Sequence, residues 1–356
     1  MRWHSLVPPP KDLPTRALDY PGSTFGWAGV DIFFVLSGFL IGGLLMREVV
    51  QTSGIDVKRF LIRRGYKIWP SYLFYVVVGG LLITRRPLQS LIPNFFHLQN
   101  YLGTPLKQTW SLAVEEHFYI LLAITLAFMA ARKALTYTNI VRLCCGVFVF
   151  SLAARIIGYF AGQDQTAIQW QTHTRVDTLM LGILLAAIYR FRPETFKKIG
   201  EQKLLLVLGV AAAVVFLSFV PREGVWMASV GYDVVAWGSA CGLVLLFSAV
   251  PGVGFLGKAR TTWPYHVVAK IGFYSYGIYL WHRVGARASD AVFHRLPPMN
   301  ETVRWYLCTT VYFVIAIAIG ALLTKLIELP FLHLRDREVP AENSSLAYAA
   351  AVPTSD

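Results

Sequence analysis

The stretch TWSLAVEEHFYI, residues 109–120, puts Glu115, Glu116 and His117 into the first turns of an apolar helix. Ionisable side chains are costly at membrane depth, and those inside a span usually face the bundle interior or a wet cavity. On a helix Ser111, Glu115 and Tyr119 fall at i, i+4 and i+8 and share one face. Glu116 points about 100° away. Glu115 is therefore the carboxylate expected to face inward, with Trp110 just before it at interface depth. The alternative is that both glutamates complement the positive end of the helix dipole. Asp31, in GVDIFFVLSGFLIGG (29–43), opens another span and poses the same choice between chemistry and capping. The basic cluster RFLIRRGYKIWP (59–70) sets Arg64 and Lys67 one turn apart, with Arg63 beside them. Such spacing suits a polyanion such as a string of phosphates, or marks an ordinary cytoplasmic helix end.

The elements that must hold these residues are membrane spans. The chain is 55% hydrophobic and only 15% charged, where soluble domains run near 25% charged. An all-α, polytopic transmembrane helix bundle follows. The net charge of +13 would suggest nucleic acid in a soluble protein. Here the positive-inside rule accounts for it, and membrane lipids are expected in place of a nucleic-acid partner. Spanning takes about 20 apolar residues, and about nine segments qualify: 27–49, 66–84, 111–131, 140–160, 175–191, 203–220, 229–249, 267–285 and 305–327.

Lys and Arg on alternate sides total 20 and 12, with Arg155 inside a span, so the richer side is read as cytoplasmic. The stretch 283–304 weakens that bias with four basic residues on the poorer side. Sorted by depth, the outer ends carry Asp31, Ser111, Glu115, Arg175, Asp177 and His282, with His4 on the same side. The inner ends carry Arg59, Arg63, Arg64 and Lys67, with Glu328 closing the last span. Gly38 and Gly42 form a G-x-x-x-G that lets another helix approach closely. Four cysteines lack metal-ligand spacing, so neither a disulfide framework nor a metal site is expected. Residues 1–340 read as one membrane domain and 341–356 as a disordered tail, with no signal peptide visible.

Taken together, six blocks resemble the membrane-bound acyltransferase-3 family: GVDIFFVLSGFLI (29–41), FLIRRGYKIWPSY (60–72), TWSLAVEEHFYI (109–120), TRVDTLMLGILLA (174–186), IGFYSYGIYLWH (271–282) and IELPF (327–331). They follow the family's order and span nearly the whole chain. The resemblance implies a ten-helix bundle that takes acetyl-CoA, or another acyl-CoA, from the cytoplasm and O-acylates a carbohydrate or glycolipid hydroxyl near the outer face. It implies His4 as general base or acyl-handling residue, Arg64 and Lys67 as the pair engaging CoA phosphates, and Glu115 as the glutamate of the Trp-Ser-Leu-x-x-Glu block. Lys67 stands where the family has Arg, which keeps charge but loses bidentate geometry. The family also has a helix before its histidine. That points to a start placed too far downstream, ahead of an inactive copy as the alternative.

Acyl transfer to an alcohol needs a base for the hydroxyl proton and a group to stabilise the oxyanion. A histidine suits the first task, and a carboxylate such as Glu115 can orient it, with Asp31 and Asp177 shaping the same pocket. His282, Arg175, Trp110, Ser111 and Tyr119 complete the expected acceptor site. Neither Ser37 nor Ser111 is assigned as a nucleophile. The expected product is a modified cell-envelope polysaccharide, lipopolysaccharide or other exported glycan at a bacterial inner membrane. The rival reading is a transporter or flippase for a glycolipid or small anion, which would use buried charges equally well. No self-similarity between halves supports it.

Overall fold

The computed structural model describes residues 12–84, 88–249 and 252–340, and these form helices and connecting turns without a β-strand. The long helices are α1 (Leu13–Phe25), α2 (Gly29–Thr52), α3 (Val57–Phe74), α4 (Trp110–Ala131), α5 (Tyr137–Phe160), α6 (Val176–Phe191), α7 (Pro193–Glu201), α8 (Lys203–Phe219), α9 (Tyr232–Phe247), α10 (Trp263–Phe273), α11 (Ser275–Arg295), α12 (Glu301–Leu323) and α13 (Leu329–Glu338). All nine segments proposed from sequence fall on helix. Among the described residues five stretches are long and apolar enough to cross a membrane alone: Leu13–Thr52, Lys107–Ala131, Tyr137–Phe160, Met227–Phe247 and Glu301–Glu338. The pair α7–α8, bent by 73°, makes a sixth if taken as one span. The others fall short for visible reasons. α3 carries five Lys and Arg, α6 has only 16 residues, and α10 and α11 break at Tyr274.

The apolar outer faces of α5 and α8 carry side chains such as Val149, Ile157, Leu204 and Phe219 that stand exposed, as lipid-facing helices require. Inside, Phe34, Leu45, Leu122, Leu126, Leu179 and Ile183 form the main core shared by α2, α4 and α6. The G-x-x-x-G of α2 meets α6. A Cβ on Gly38 would fall on the carbonyl oxygen of Leu179, and one on Gly182 would strike the backbone of Val35 and Phe39. Two backbones in contact leave no room for a side chain on either, which is how small residues drive association where lipid supplies no hydrophobic force.

A buried amide network fixes the entrance to α4. Tyr72 Oη donates to the Asn94 carbonyl at 2.8 Å, while Asn94 Nδ2 donates to Thr109 Oγ1 and Gln99 Nε2 to the Thr109 carbonyl, both at 2.8 Å. His97, at φ 56°, lays its ring on Tyr72 with centroids 4.6 Å apart. The segment before Trp110 is thereby held rigidly, and so is the face that carries Ser111 and Glu115.

Two outcomes test this packing. Gly182→Val should cost about 1–3 kcal/mol through overpacking, read as a lower Tm in detergent, whereas Gly146→Ala, with nothing within 4 Å, should be neutral. Burial pushes the His97 imidazole down to about 4, below its value near 6.5 in an unfolded chain. The unfolded state then binds the proton first, so stability present above pH 6.5 is lost as pH falls toward 4. His97→Gln should flatten the fall in Tm across that window.

Candidate active site

A cavity of about 890 Å³ opens between the start of α2, the start of α4, α10–α12 and the short helix Gln165–Trp170. Trp110, Ser111, Glu115, Trp170, Tyr279 and His282 are on its wall. Hydroxyl proton counting fixes the direction of its hydrogen bonds. Tyr279 Oη donates to the Gln108 carbonyl at 2.6 Å, so Ser111 Oγ, also 2.6 Å away, must donate to Tyr279. Tyr119 Oη donates to Glu115 Oε2 at 2.6 Å, so Ser37 Oγ donates to Tyr119 at the same distance. Glu115 Oε1 has no partner among the described residues. His282 Nδ1 lies 2.6 Å from the Tyr279 carbonyl and must donate to it, which makes Nε2 the lone-pair nitrogen of the neutral ring. The Trp110 and Trp170 rings lie parallel within 5°, centroids 6.3 Å apart, as a flat apolar wall.

Other charged residues expected in this pocket lie behind its wall, paired with each other. Asp31 bonds Arg175, and both are 1% exposed. Arg175 also stacks over Tyr232, 3.9 Å from the ring centroid. Asp177 bonds Arg155. Arg155 reaches Asp233 at 2.6 Å and donates to the carbonyls of Thr174 and Ser229. Charge cancellation in low dielectric explains the arrangement: Asp31, Asp177 and Asp233 each meet a guanidinium. Asp31, Arg175 and Asp177 thus tie α2, α5, α6 and α9 together and do not line the cavity.

At the basic end of α3 the three cations diverge. Arg63 pairs with Asp336 at 3.1 Å and with the Val339 carbonyl, and Lys67 pairs with Glu328. Arg64 turns inward and lies over the Tyr119 ring, 5.3 Å from its centroid. It is thus on the same tyrosine that holds Glu115. Glu116 is buried and takes a hydrogen bond from Trp69, while His117 Nδ1 meets Thr172 Oγ1 at 2.7 Å. His4 lies outside the described residues, as does the expected tail 341–356. Among the described residues no three His, Cys, Asp or Glu gather as metal ligands would.

Reading the sequence missed Gln108, Tyr279 and Asp233. Tyr279 stands three residues before His282 in one block, a spacing that puts both on one helix face. Asp233 opens a span just as Asp31 does. Gln108 carries no such signal.

A family profile described as an acyltransferase domain matches residues 3–324. The chain belongs to the acyltransferase-3 family. It is therefore an integral membrane acyltransferase domain. The O-acetyltransferase OatA of Staphylococcus aureus (strain NCTC 8325 / PS 47) is 30% identical over 283 residues, covering 72% of this chain and 45% of that protein. The peptidoglycan O-acetyltransferase OatA of Listeria monocytogenes is 29% identical over 293 residues, covering 74% and 46%. The chain thus spans less than half the length of the curated relatives it matches. No solved structure matches it.

Removing the guanidinium of Arg155 would leave Asp177 and Asp233 facing each other. Arg155→Met should cost about 3–5 kcal/mol, as expected for breaking a buried pair by one partner. Asp177→Asn in the same chain should recover part of that Tm loss. An unchanged Tm in Arg155→Met would show that the pair does not hold α5, α6 and α9 together.

Proposed function

We propose that this domain is an O-acetyltransferase that moves an acetyl group from acetyl-CoA, bound at the basic end of α3, to a carbohydrate hydroxyl held in the cavity. The observation that carries this reading is the connection Arg64–Tyr119–Glu115, which runs from the basic end to the cavity wall. The names of the relatives support a cell-wall glycan as acceptor, and the charge bias of the loops supports a cytoplasmic donor side at a bacterial inner membrane.

In this reading the acceptor lies against Trp110 and Trp170, with Ser111, Tyr279 and His282 within reach of its hydroxyls. His4 takes the proton of the attacking hydroxyl, with Glu115 supporting the imidazolium. The oxygen attacks the thioester carbonyl, the C–S bond breaks, and CoA leaves as the thiol with the transferred proton. Arg63, Arg64 and Lys67 meet the CoA phosphates, which displace Asp336 and Glu328 from Arg63 and Lys67. Asp31, Arg175 and Asp177 keep the helices behind the wall in register. The domain spans 1–340 and the segment 341–356 extends beyond it.

The test is CoA release from acetyl-CoA by protein in nanodiscs, with and without an acceptor glycan. His4→Ala should lower kcat by at least about 100-fold, the usual contribution of a general base. His282→Ala should mainly raise the KM for acceptor. The reverse pattern would move the base to His282. A rate that does not change between pH 5 and 8 would count against any histidine base.

A further inference from the structure

Among the described residues three cations line the cavity: Lys107, Arg222 and Arg283. None of them lies within 4.0 Å of a carboxylate among the described residues. Among the described residues two carboxylates, Glu115 and Glu223, share the wall. Glu115 is engaged by Tyr119, and Glu223 follows Arg222 directly in the chain. The positive-inside rule does not explain the three cations. Along the chain they lie across the membrane from the Arg59–Lys67 cluster, on the side where Lys and Arg are the minority.

Their settings are those of cations held ready. Gln108 Nε2 donates to Tyr75 Oη, which fixes the amide and turns Oε1 toward Arg283 Nη1 at 3.5 Å. Lys107 precedes that glutamine and is exposed. Arg222 lies over the Trp27 ring, 5.2 Å from its centroid, and donates to Gln169 Oε1 at 2.9 Å. Amide oxygens and an indole face orient a guanidinium without neutralising it, which leaves the charge for an incoming anion. Arg283 reaches the side chain of Gln108, whose carbonyl holds Tyr279, and shares the cavity wall with His282, so an anion on it would sit near the Ser111–Tyr279 pair.

Resting on the acceptor role proposed above for this cavity, we infer that the acceptor is an anionic carbohydrate, recognised through a carboxylate by Lys107 and Arg283. The sugar ring lies on Trp110 and Trp170, and the negative group sets which hydroxyl reaches the reacting centre. A neutral glycan of the same shape fills the wall but leaves the cations unpaired.

Quenching of tryptophan fluorescence from Trp110 and Trp170 gives a readout that needs no turnover. In nanodiscs of zwitterionic lipid, the probes are a tetragalacturonate and the same tetrasaccharide with its carboxyl groups reduced to alcohols. The uronate should bind at least tenfold more tightly in low salt, and the gap should shrink in 0.5 M NaCl. Lys107→Gln with Arg283→Gln should bring the uronate to the affinity of the neutral sugar, while Arg283→Lys should retain most of the preference. Arg335→Gln with Arg337→Gln removes two charges at the far end and should retain it too, which separates a local site from the general field of a cationic protein. Equal affinity for the two sugars, no binding of either, or a preference that survives loss of Lys107 and Arg283 would overturn the inference. A charge preference without CoA release in any preparation would instead overturn the proposed transfer reaction and leave the anionic site standing.

Discussion

An unpaired charge in hydrocarbon is costly enough to dictate which helices of this bundle become neighbours. Arg155 on α5 is completely buried and is met by Asp177 on α6 and Asp233 on α9. Arg175, at the start of α6, takes Asp31 at the start of α2. These pairs lock four helices at one depth. Ion pairs of this kind add little net stability over well-packed apolar residues, but losing one partner is severe, so they act as a register constraint. The close backbone contact of α2 and α6 through Gly38 and Gly182 falls within the same helix pair. Where α10–α12 stand apart from α2, no comparable clamp exists among the described residues, and that is where the cavity lies.

Much of this was legible from local pattern. Apolar length marked the helices, and the 3.6-residue period put Ser111, Glu115 and Tyr119 on one face. Gly38 and Gly42 announced a close helix neighbour before α6 could be named as that neighbour. What could not be read was pairing across the chain. Asp31 and Arg175 are 144 residues apart, and Ser37 and Tyr119 are 82 apart. Sequence alone shows an intramembrane carboxylate without showing whether it meets a guanidinium or a cavity. Asp31 and Asp177 met guanidinium groups, while Glu115 reached the cavity wall. The basic cluster shows the same limit: Arg64 and Lys67 are one turn apart, yet one turns into the bundle and the other meets Glu328.

The direction of the hydroxyl protons narrows what the two serines can do. A tyrosine has one proton to give. Tyr119 gives its proton to Glu115, and Tyr279 gives its proton to a backbone carbonyl. Ser37 and Ser111 are therefore donors to phenol oxygens, at 2.6 Å in each case. A serine nucleophile also gives up its proton, but to a base that can keep it. A phenol oxygen that is already a donor is a poor place to leave a proton. Ser111, on the cavity wall, keeps its lone pairs for accepting, which in the proposed reaction suits a sugar hydroxyl. In the proposed reaction these hydroxyls orient the acceptor alcohol, and its proton goes to a histidine or to Glu115, whose Oε1 has no partner among the described residues.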